Sequence, residues 1–275
     1  MSPTRRQAAA SLAAVPLALA AAHTAQAHSG GRRPPRATPT VHLAGDSTAA
    51  PKTASAAPET GWGMALPFFL ADRLRVANHA AGGRSSKSFY DEGRLDAILA
   101  AIRPGDFLFI QFGHNDEKTD DPARGTDPAT TYPRYLRLYI KGARDRGARP
   151  VLLTSVERRR FDAAGTARPT HGAYPDAVRS LARADGVPLI DVQASSIALW
   201  QRLGPEATKG CFNWLAPGEW PNYPDGRQDN THFQPHGAIE VARLVARELK
   251  AKGVLAASDV RRLGEAVPDS WITWP

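Results

Sequence analysis

Phe107-Leu108-Phe109-Ile110-Gln111-Phe112-Gly113-His114-Asn115-Asp116 is an almost wholly apolar run of six residues that ends abruptly in a polar cluster. A strand covered on one face alternates apolar and polar side chains, whereas one covered on both faces reads as a continuous apolar run. This stretch therefore belongs inside a parallel sheet. Four more short apolar runs occur along the chain, at Val41 to Ala44, Leu74 to Asn78, Val151 to Ser155 and Val187 to Val192. Between them lie segments with helical spacing at 62–72, 92–102, 132–146, 174–184 and 195–203. A last one at 235–252 repeats Ile239, Ala242, Val245 and Leu249 every three or four residues, with Pro235 suited to its first turn and Gly253 to its end. Strand and helix alternating five times predict an α/β chain, with a five-stranded parallel sheet and helices on both faces.

Composition agrees with one globular domain. The 275 residues are 42% hydrophobic and 23% charged, which excludes disordered, collagenous and coiled-coil classes. Cys211 is the single cysteine, so neither an internal disulfide nor a zinc site of several cysteines can form. The net charge of +8 is scattered and names no partner by itself.

Residues 1–27 hold no acid, place Arg5 and Arg6 before the alanine-rich stretch from Ala8 to Ala22, and close on Ala25-Gln26-Ala27. A charged region, a short apolar region and a small-residue cleavage site, in that order, predict a signal peptide and a secreted protein. The apolar run is too short for a stable membrane span. Thr4-Arg5-Arg6-Gln7 matches the core of a twin-arginine signal, with Sec export the alternative. Cleavage after Ala27 leaves 33 basic against 27 acidic residues, a mature charge of +6. Residues 28–39, rich in Gly, Pro and Arg, read as a flexible basic linker, and residues 40–275 as one domain.

Ligands of open α/β sheets bind beyond the carboxyl ends of the strands. Polar clusters follow three predicted strands: Gly45-Asp46-Ser47-Thr48, Ala81-Gly82-Gly83-Arg84-Ser85 and Gly113-His114-Asn115-Asp116. A fourth, Asp229-Asn230-Thr231-His232-Phe233, precedes the last helix. Ser47, His232 and Asp229 supply a hydroxyl, a base to take its proton, and a carboxylate to fix the tautomer of that base. Gly45 is expected to allow unusual backbone angles in the turn that presents Ser47. Acyl transfer also needs donors for the oxygen that turns negative, and the amides of Ser47 and Gly83 with the side chain of Asn115 are the candidates.

These blocks resemble those of the SGNH, or GDSL-type, hydrolases, in the same order. Ala44-Gly45-Asp46-Ser47-Thr48, Gly61-Trp62-Gly63, Gly83-Arg84-Ser85-Ser86-Lys87-Ser88-Phe89 and Phe112-Gly113-His114-Asn115-Asp116 are similar to the rhamnogalacturonan acetylesterase branch, carbohydrate esterase family 12. Pro221-Asn222-Tyr223-Pro224, leading to Asp229-Asn230-Thr231-His232-Phe233, is similar too. The resemblance covers residues 41 to about 250. It implies a three-layer flavodoxin-like fold and no metal or organic cofactor. Ser47 is then the nucleophile, His232 the base and Asp229 its orienter, with an oxyanion hole of Ser47, Gly83 and Asn115. It departs from the pattern at Gly82, which puts two glycines where one is expected and leaves Gly82 as the alternative donor.

The implied activity is removal of acetyl groups from a plant cell-wall polysaccharide, pectic rhamnogalacturonan first. Alternatives are another SGNH esterase (an acetylxylan esterase, a lipase or a thioesterase) and a carbohydrate-binding protein without catalysis. No phosphate-loop or dinucleotide fingerprint occurs, and no nucleic-acid partner is expected. Asp46 reads as a residue that ties loops, and Arg158-Arg159-Arg160 as a solvated loop. Cys211 reads as a packed side chain. His232 and His236 are separated by Pro235 and are not read as a metal pair. The 203–228 segment reads as a long loop whose Trp214, Trp220 and Tyr223 either stack on sugar rings or anchor the loop.

Overall fold

The computed structural model describes residues 38–275. The predicted signal peptide and residues 28–37 of the predicted linker lie outside the described residues. At the centre, β1 (Thr40–Gly45) pairs with β2 (Arg75–Asn78) on one side and β3 (Phe107–Gln111) on the other. Beyond β3 come β4 (Arg149–Leu153) and β5 (Leu189–Ile190), so the strand order is 2-1-3-4-5. Every pairing in this sheet is parallel. This is the flavodoxin-like order, in which the chain winds away from β1 in both directions and a crevice opens between β1 and β3 at their carboxyl ends.

Alternation along the strands divides the core in two. Val41, Leu43, Phe107, Phe109, Val151 and Leu153 face one layer. That layer holds α1 (Trp62–Ala65), α6 (Val192–Ala207) and α7 (Pro235–Ala251). Ala44, Leu108, Ile110 and Leu152 face the other. There lie α2 (Ser86–Asp91), α3 (Arg94–Ala101), α4 (Thr131–Asp145) and α5 (Tyr174–Asp185). Both faces of the sheet are thus covered, which is why β3 carries no outward polar alternation. Each large apolar side chain buried there contributes about 1.5–3 kcal/mol over its exposed form.

Three sequence expectations are corrected. The helix expected over 62–72 stops at Ala65 and continues as a 3-10 turn at Leu66–Phe69, because Pro67 has no amide hydrogen to continue it. The helix expected over 92–102 begins at Arg94. A separate helix, α2, precedes it, opened by a capping box in which Ser85 and Ser88 bond each other's amides. The long loop expected over 203–228 contains the end of α6 and β6 (Phe212–Leu215), which pairs antiparallel with β7 (Arg227–Phe233). Four residues of β6 are too few to show a period, and β7 is polar almost throughout.

This two-stranded ribbon is held by packing at one end. Phe212 and Phe233 are buried with ring centres 5.1 Å apart, and Trp200 of α6 lies edge-on to Phe212 at 5.0 Å. Helix α7 comes so close to the chain preceding β6 that a Cβ on Gly237 would stand 1.9 Å from the carbonyl oxygen of Cys211. The Gln234 amide donates to that same carbonyl at 3.1 Å, and its side chain to the Phe212 carbonyl at 2.8 Å. Cys211 is buried, as expected, and burial pushes its thiol up to about 12. The C-terminal tail folds back over the domain: the Trp274 indole donates to the Glu59 carbonyl at 2.9 Å, and Trp271 lies edge-on to Phe68. Among the described residues no helix is long and apolar enough to cross a membrane.

Gly237→Ala is expected to cost about 1–3 kcal/mol of stability, because the methyl must push α7 off the Cys211 backbone. Urea unfolding of the two proteins measures it, and equal stability would show that the close approach relaxes freely.

Candidate active site

The turn after β1 is built by one carboxylate. Asp46 Oδ1 accepts from the Thr48 amide at 3.0 Å and its hydroxyl at 2.7 Å, while the Asp46 carbonyl receives the amides of Ala49 and Ala50. Asp46 is fully buried, its Oδ2 has no partner among the described residues, and burial raises its pKa. Its bonds stay within its own turn, so it ties that turn and not separate loops. Gly45 does not adopt the left-handed angles expected of it. Its need is for space, since a Cβ there would sit 3.0 Å from the Gln111 carbonyl of β3.

Ser47 stands on this turn, half-buried, with Oγ 2.9 Å from His232 Nε2. His232 Nδ1 lies 2.8 Å from Asp229 Oδ2. The same Oδ2 accepts from Arg227 Nη2 at 2.7 Å, and Oδ1 accepts from the amides of Thr231 at 2.7 Å and His232 at 3.0 Å. Burial alone would raise the Asp229 pKa. The bond and charge of His232 with those amides more than offset it and hold the carboxyl well below the usual range. Asp229 is therefore ionised and can only accept, so Nδ1 carries the proton and Nε2 is left to accept from the Ser47 hydroxyl.

Residues three apart on a regular strand point to opposite faces. Asp229 and His232 meet because β7 bulges there: between the pairs Phe212–Phe233 and Trp214–Gln228, two steps along β6 match five along β7. The two Asp229 Oδ1 bonds close that bulge.

Ala81-Gly82-Gly83-Arg84 forms a turn closed by the Arg84 amide on the Ala81 carbonyl at 3.3 Å, and Gly83 takes φ +77°. A Cβ on Gly82 would lie 3.9 Å from Ser47 Cβ, so this turn stands beside the Ser47 side chain. Among the described residues the amides of Ser47, Gly82 and Gly83 make no hydrogen bond. Asn115 Nδ2 donates to the Arg84 carbonyl at 3.1 Å, which fixes its side chain against this turn with its second hydrogen to spare. The turns after β1, β2 and β3 thus meet at the crevice.

Beneath them is a buried polar layer that the sequence reading missed. Asp116 accepts from the Ser86 amide at 3.1 Å, the Ser86 hydroxyl at 2.5 Å and the Thr126 hydroxyl at 3.2 Å, which anchors the turn carrying Asn115. His171 bonds Glu117 through Nδ1 and the Val156 carbonyl through Nε2 at 2.9 Å, and lies edge-on to buried His114. Burial, with the charge of His171, holds His114 well below the usual histidine range. Gln111 accepts from the Trp62 indole at 2.6 Å and donates to Thr48 at 3.3 Å. Arg227 was the one missed residue with a sequence signal, since two positions from Asp229 on a strand share a face.

The three aromatic candidates all have intramolecular partners. Trp214 has Arg159 and Lys209 each 4.8 Å from its ring, and its indole nitrogen donates to Asn230 at 2.9 Å. Tyr223 donates to the Ala56 carbonyl at 3.2 Å and accepts from Arg227 at 3.0 Å. Trp220 lies edge-on to Trp274 at 6.2 Å.

Residues 43–238 match the GDSL-like Lipase/Acylhydrolase family. The rhamnogalacturonan acetylesterase RhgT of Bacillus subtilis is 48% identical over 214 residues, across 78% of this chain and 90% of that protein. The rhamnogalacturonan acetylesterase of Emericella nidulans is 29% identical over 242 residues, across 80% and 88%. Among solved structures, that of the YxiM protein of Bacillus subtilis superposes with a TM-score of 0.68 at 29% identity, over 79% of this chain and 57% of that chain.

Burial is the largest influence on Asp116 and, against the hydrogen bonds of Ser86 and Thr126, raises it from 3.8 to about 7. Between those values the folded chain keeps a proton that the unfolded chain has released, so this group lowers stability as pH rises through the window. The loss is on the order of 1 kcal/mol per pH unit while the window lasts. Asp116→Asn, which cannot titrate, is expected to lose less stability than the parent between pH 4 and 7. Urea unfolding at several pH values checks it, and equal slopes would refute it.

Proposed function

This chain belongs to the GDSL-like Lipase/Acylhydrolase family and is a carboxylic ester hydrolase, and we propose that its ester is an acetyl group on a pectic polysaccharide, rhamnogalacturonan first. The observation that carries the reading is the line from Ser47 Oγ through His232 to Asp229, with contacts of 2.9 and 2.8 Å. The names of the relatives, two of them rhamnogalacturonan acetylesterases, support the substrate.

In the proposed reaction Ser47 Oγ attacks the acetyl carbonyl carbon as its proton passes to His232 Nε2. The carbonyl oxygen becomes an oxyanion held by the amides of Ser47 and Gly83 and by Asn115 Nδ2. Each such donor is worth roughly 2.7–4 kcal/mol in the transition state. Collapse of this intermediate breaks the bond to the sugar oxygen, which leaves with the proton from His232. Water, deprotonated by His232, then attacks the acetylated Ser47, and acetate departs as Oγ recovers its proton. Asp229 keeps its negative charge throughout and stabilises the imidazolium at each stage.

On this reading residues 1–27 direct export and are removed, 28–39 form a basic linker and 40–275 are the hydrolase domain. A mature charge of +6 favours approach to a galacturonate-rich polyanion.

Ser47→Ala, shown to be folded by circular dichroism, is expected to release acetate from acetylated rhamnogalacturonan at least about 10^4-fold more slowly. Asp229→Asn is expected to lose about 10^4-fold in kcat through the wrong histidine tautomer. A Ser47→Ala protein as fast as the parent would end this mechanism. Faster release from acetylated xylan than from rhamnogalacturonan would move the substrate.

A further inference from the structure

Arg158, Arg159 and Arg160 follow β4 at the same sheet edge as Ser47, and the fold gives each a different task. Arg158 turns inward and pairs with Glu117 at 3.0 Å. Arg159 is held as a wall: its guanidinium donates to the Pro205 carbonyl at 2.7 Å and to Asn230 Oδ1 at 3.1 Å, and lies 4.8 Å from the Trp214 ring. Arg160 is exposed, and among the described residues its side chain makes no hydrogen bond. Neither Arg159 nor Arg160 has a carboxylate within 4.0 Å among the described residues, although most of the arginines nearby are paired.

These three arginines, Thr170 and Asn230 line an open cavity of about 370 Å³. Asn230 is the residue next to Asp229 on β7, so the cavity and the Ser47 site are built on the same strand. Its Oδ1 is committed to Arg159 and Trp214, which fixes the side chain and leaves Nδ2 without a partner among the described residues. One amide donor and two uncompensated guanidiniums, one of them already immobilised, make a site for a planar carboxylate at low ordering cost.

We propose that this cavity binds a uronate carboxylate of the polysaccharide, on a sugar close to the one whose acetyl ester lies at Ser47. The proposal rests on the pectic reading above and narrows it, by making the charge of the polymer backbone a recognition element at a stated place. Arg160 supplies the exposed cation, and Arg159 with Asn230 the fixed wall.

The test compares acetate release from acetylated rhamnogalacturonan with release from the same polymer after its uronate carboxyls are reduced to alcohols. The parent is expected to prefer the carboxylated polymer in kcat/KM, with the preference shrinking as salt rises. Arg160→Gln is expected to lower that preference about 3- to 10-fold, through KM, and Arg160→Lys to restore part of it. An unchanged preference in Arg160→Gln, or a loss equal on both polymers, overturns the inference while acetate release by the parent leaves the functional reading standing. A parent that releases acetate from 4-nitrophenyl acetate but from neither polymer overturns the functional reading, and the carboxylate site with it.

Discussion

The carboxylate of Asp229 is the single acceptor on which the site depends. Four donors converge on it, two backbone amides on Oδ1 and two side chains on Oδ2. The amide bonds shape the backbone, because they close the bulge that brings residues 229 and 232 to one side of a strand. The side-chain bond then orients the imidazole that this same bulge has delivered. One group thus sets both where the imidazole stands and which of its nitrogens is left to face Ser47. An alanine at this position would remove the orienting charge and also leave two amides and an arginine without their acceptor.

The sheet supplies the other half of the geometry. Ser47 and Asn115 follow β1 and β3, neighbours in register on either side of the switch point, so their spacing is set by five backbone-paired residues buried on both faces. His232 comes from outside the sheet. It reaches Ser47 across 185 residues only because α7 and the 212–233 ribbon are locked together at Cys211, Gln234 and the Trp200-Phe212-Phe233 cluster. The hydrophobic packing of the ribbon and the hydrogen bond at the hydroxyl are therefore coupled. A shift of the ribbon by even 1 Å would take Nε2 out of bonding range of Oγ.

This division explains what was legible in the sequence. The five strands were readable because burial on both faces imposes apolar runs, and the polar clusters at their ends were readable because such residues stand out against those runs. The 212–233 ribbon was not. It is stabilised by two aromatic side chains at one end and by an irregular register, and neither leaves a period of 2. The layer formed by Asp116, Glu117 and His171 was hidden for a different reason. Its members are separated by up to 55 residues and are recognisable as a group only once β3, β4 and the 157–171 loop are neighbours. Arg158-Arg159-Arg160 shows the limit most plainly: one charge run holds an inward ion pair, a wall against Trp214 and an exposed cation, and composition treats all three alike.

Arg227 raises a last question of charge. It shares Oδ2 with His232, and a cation bound to a carboxylate lessens the stabilisation that the carboxylate can give an imidazolium. The arrangement limits this cost by continuing the alternation of charge. Glu59 Oε2 lies 3.4 Å from Arg227, and Lys52 lies 2.6 Å from Glu59, so the arginine is itself partly neutralised from behind. Tyr223 also takes one of its hydrogens. The Arg227 side chain is partly exposed, and solvent screens its charge more than it screens the less exposed carboxylate beside the imidazole. In return the second Oδ2 bond adds a further hold on the Asp229 side chain to those of His232 and the two amides on Oδ1. The net effect is an imidazole held by a carboxylate that is itself fixed from two sides.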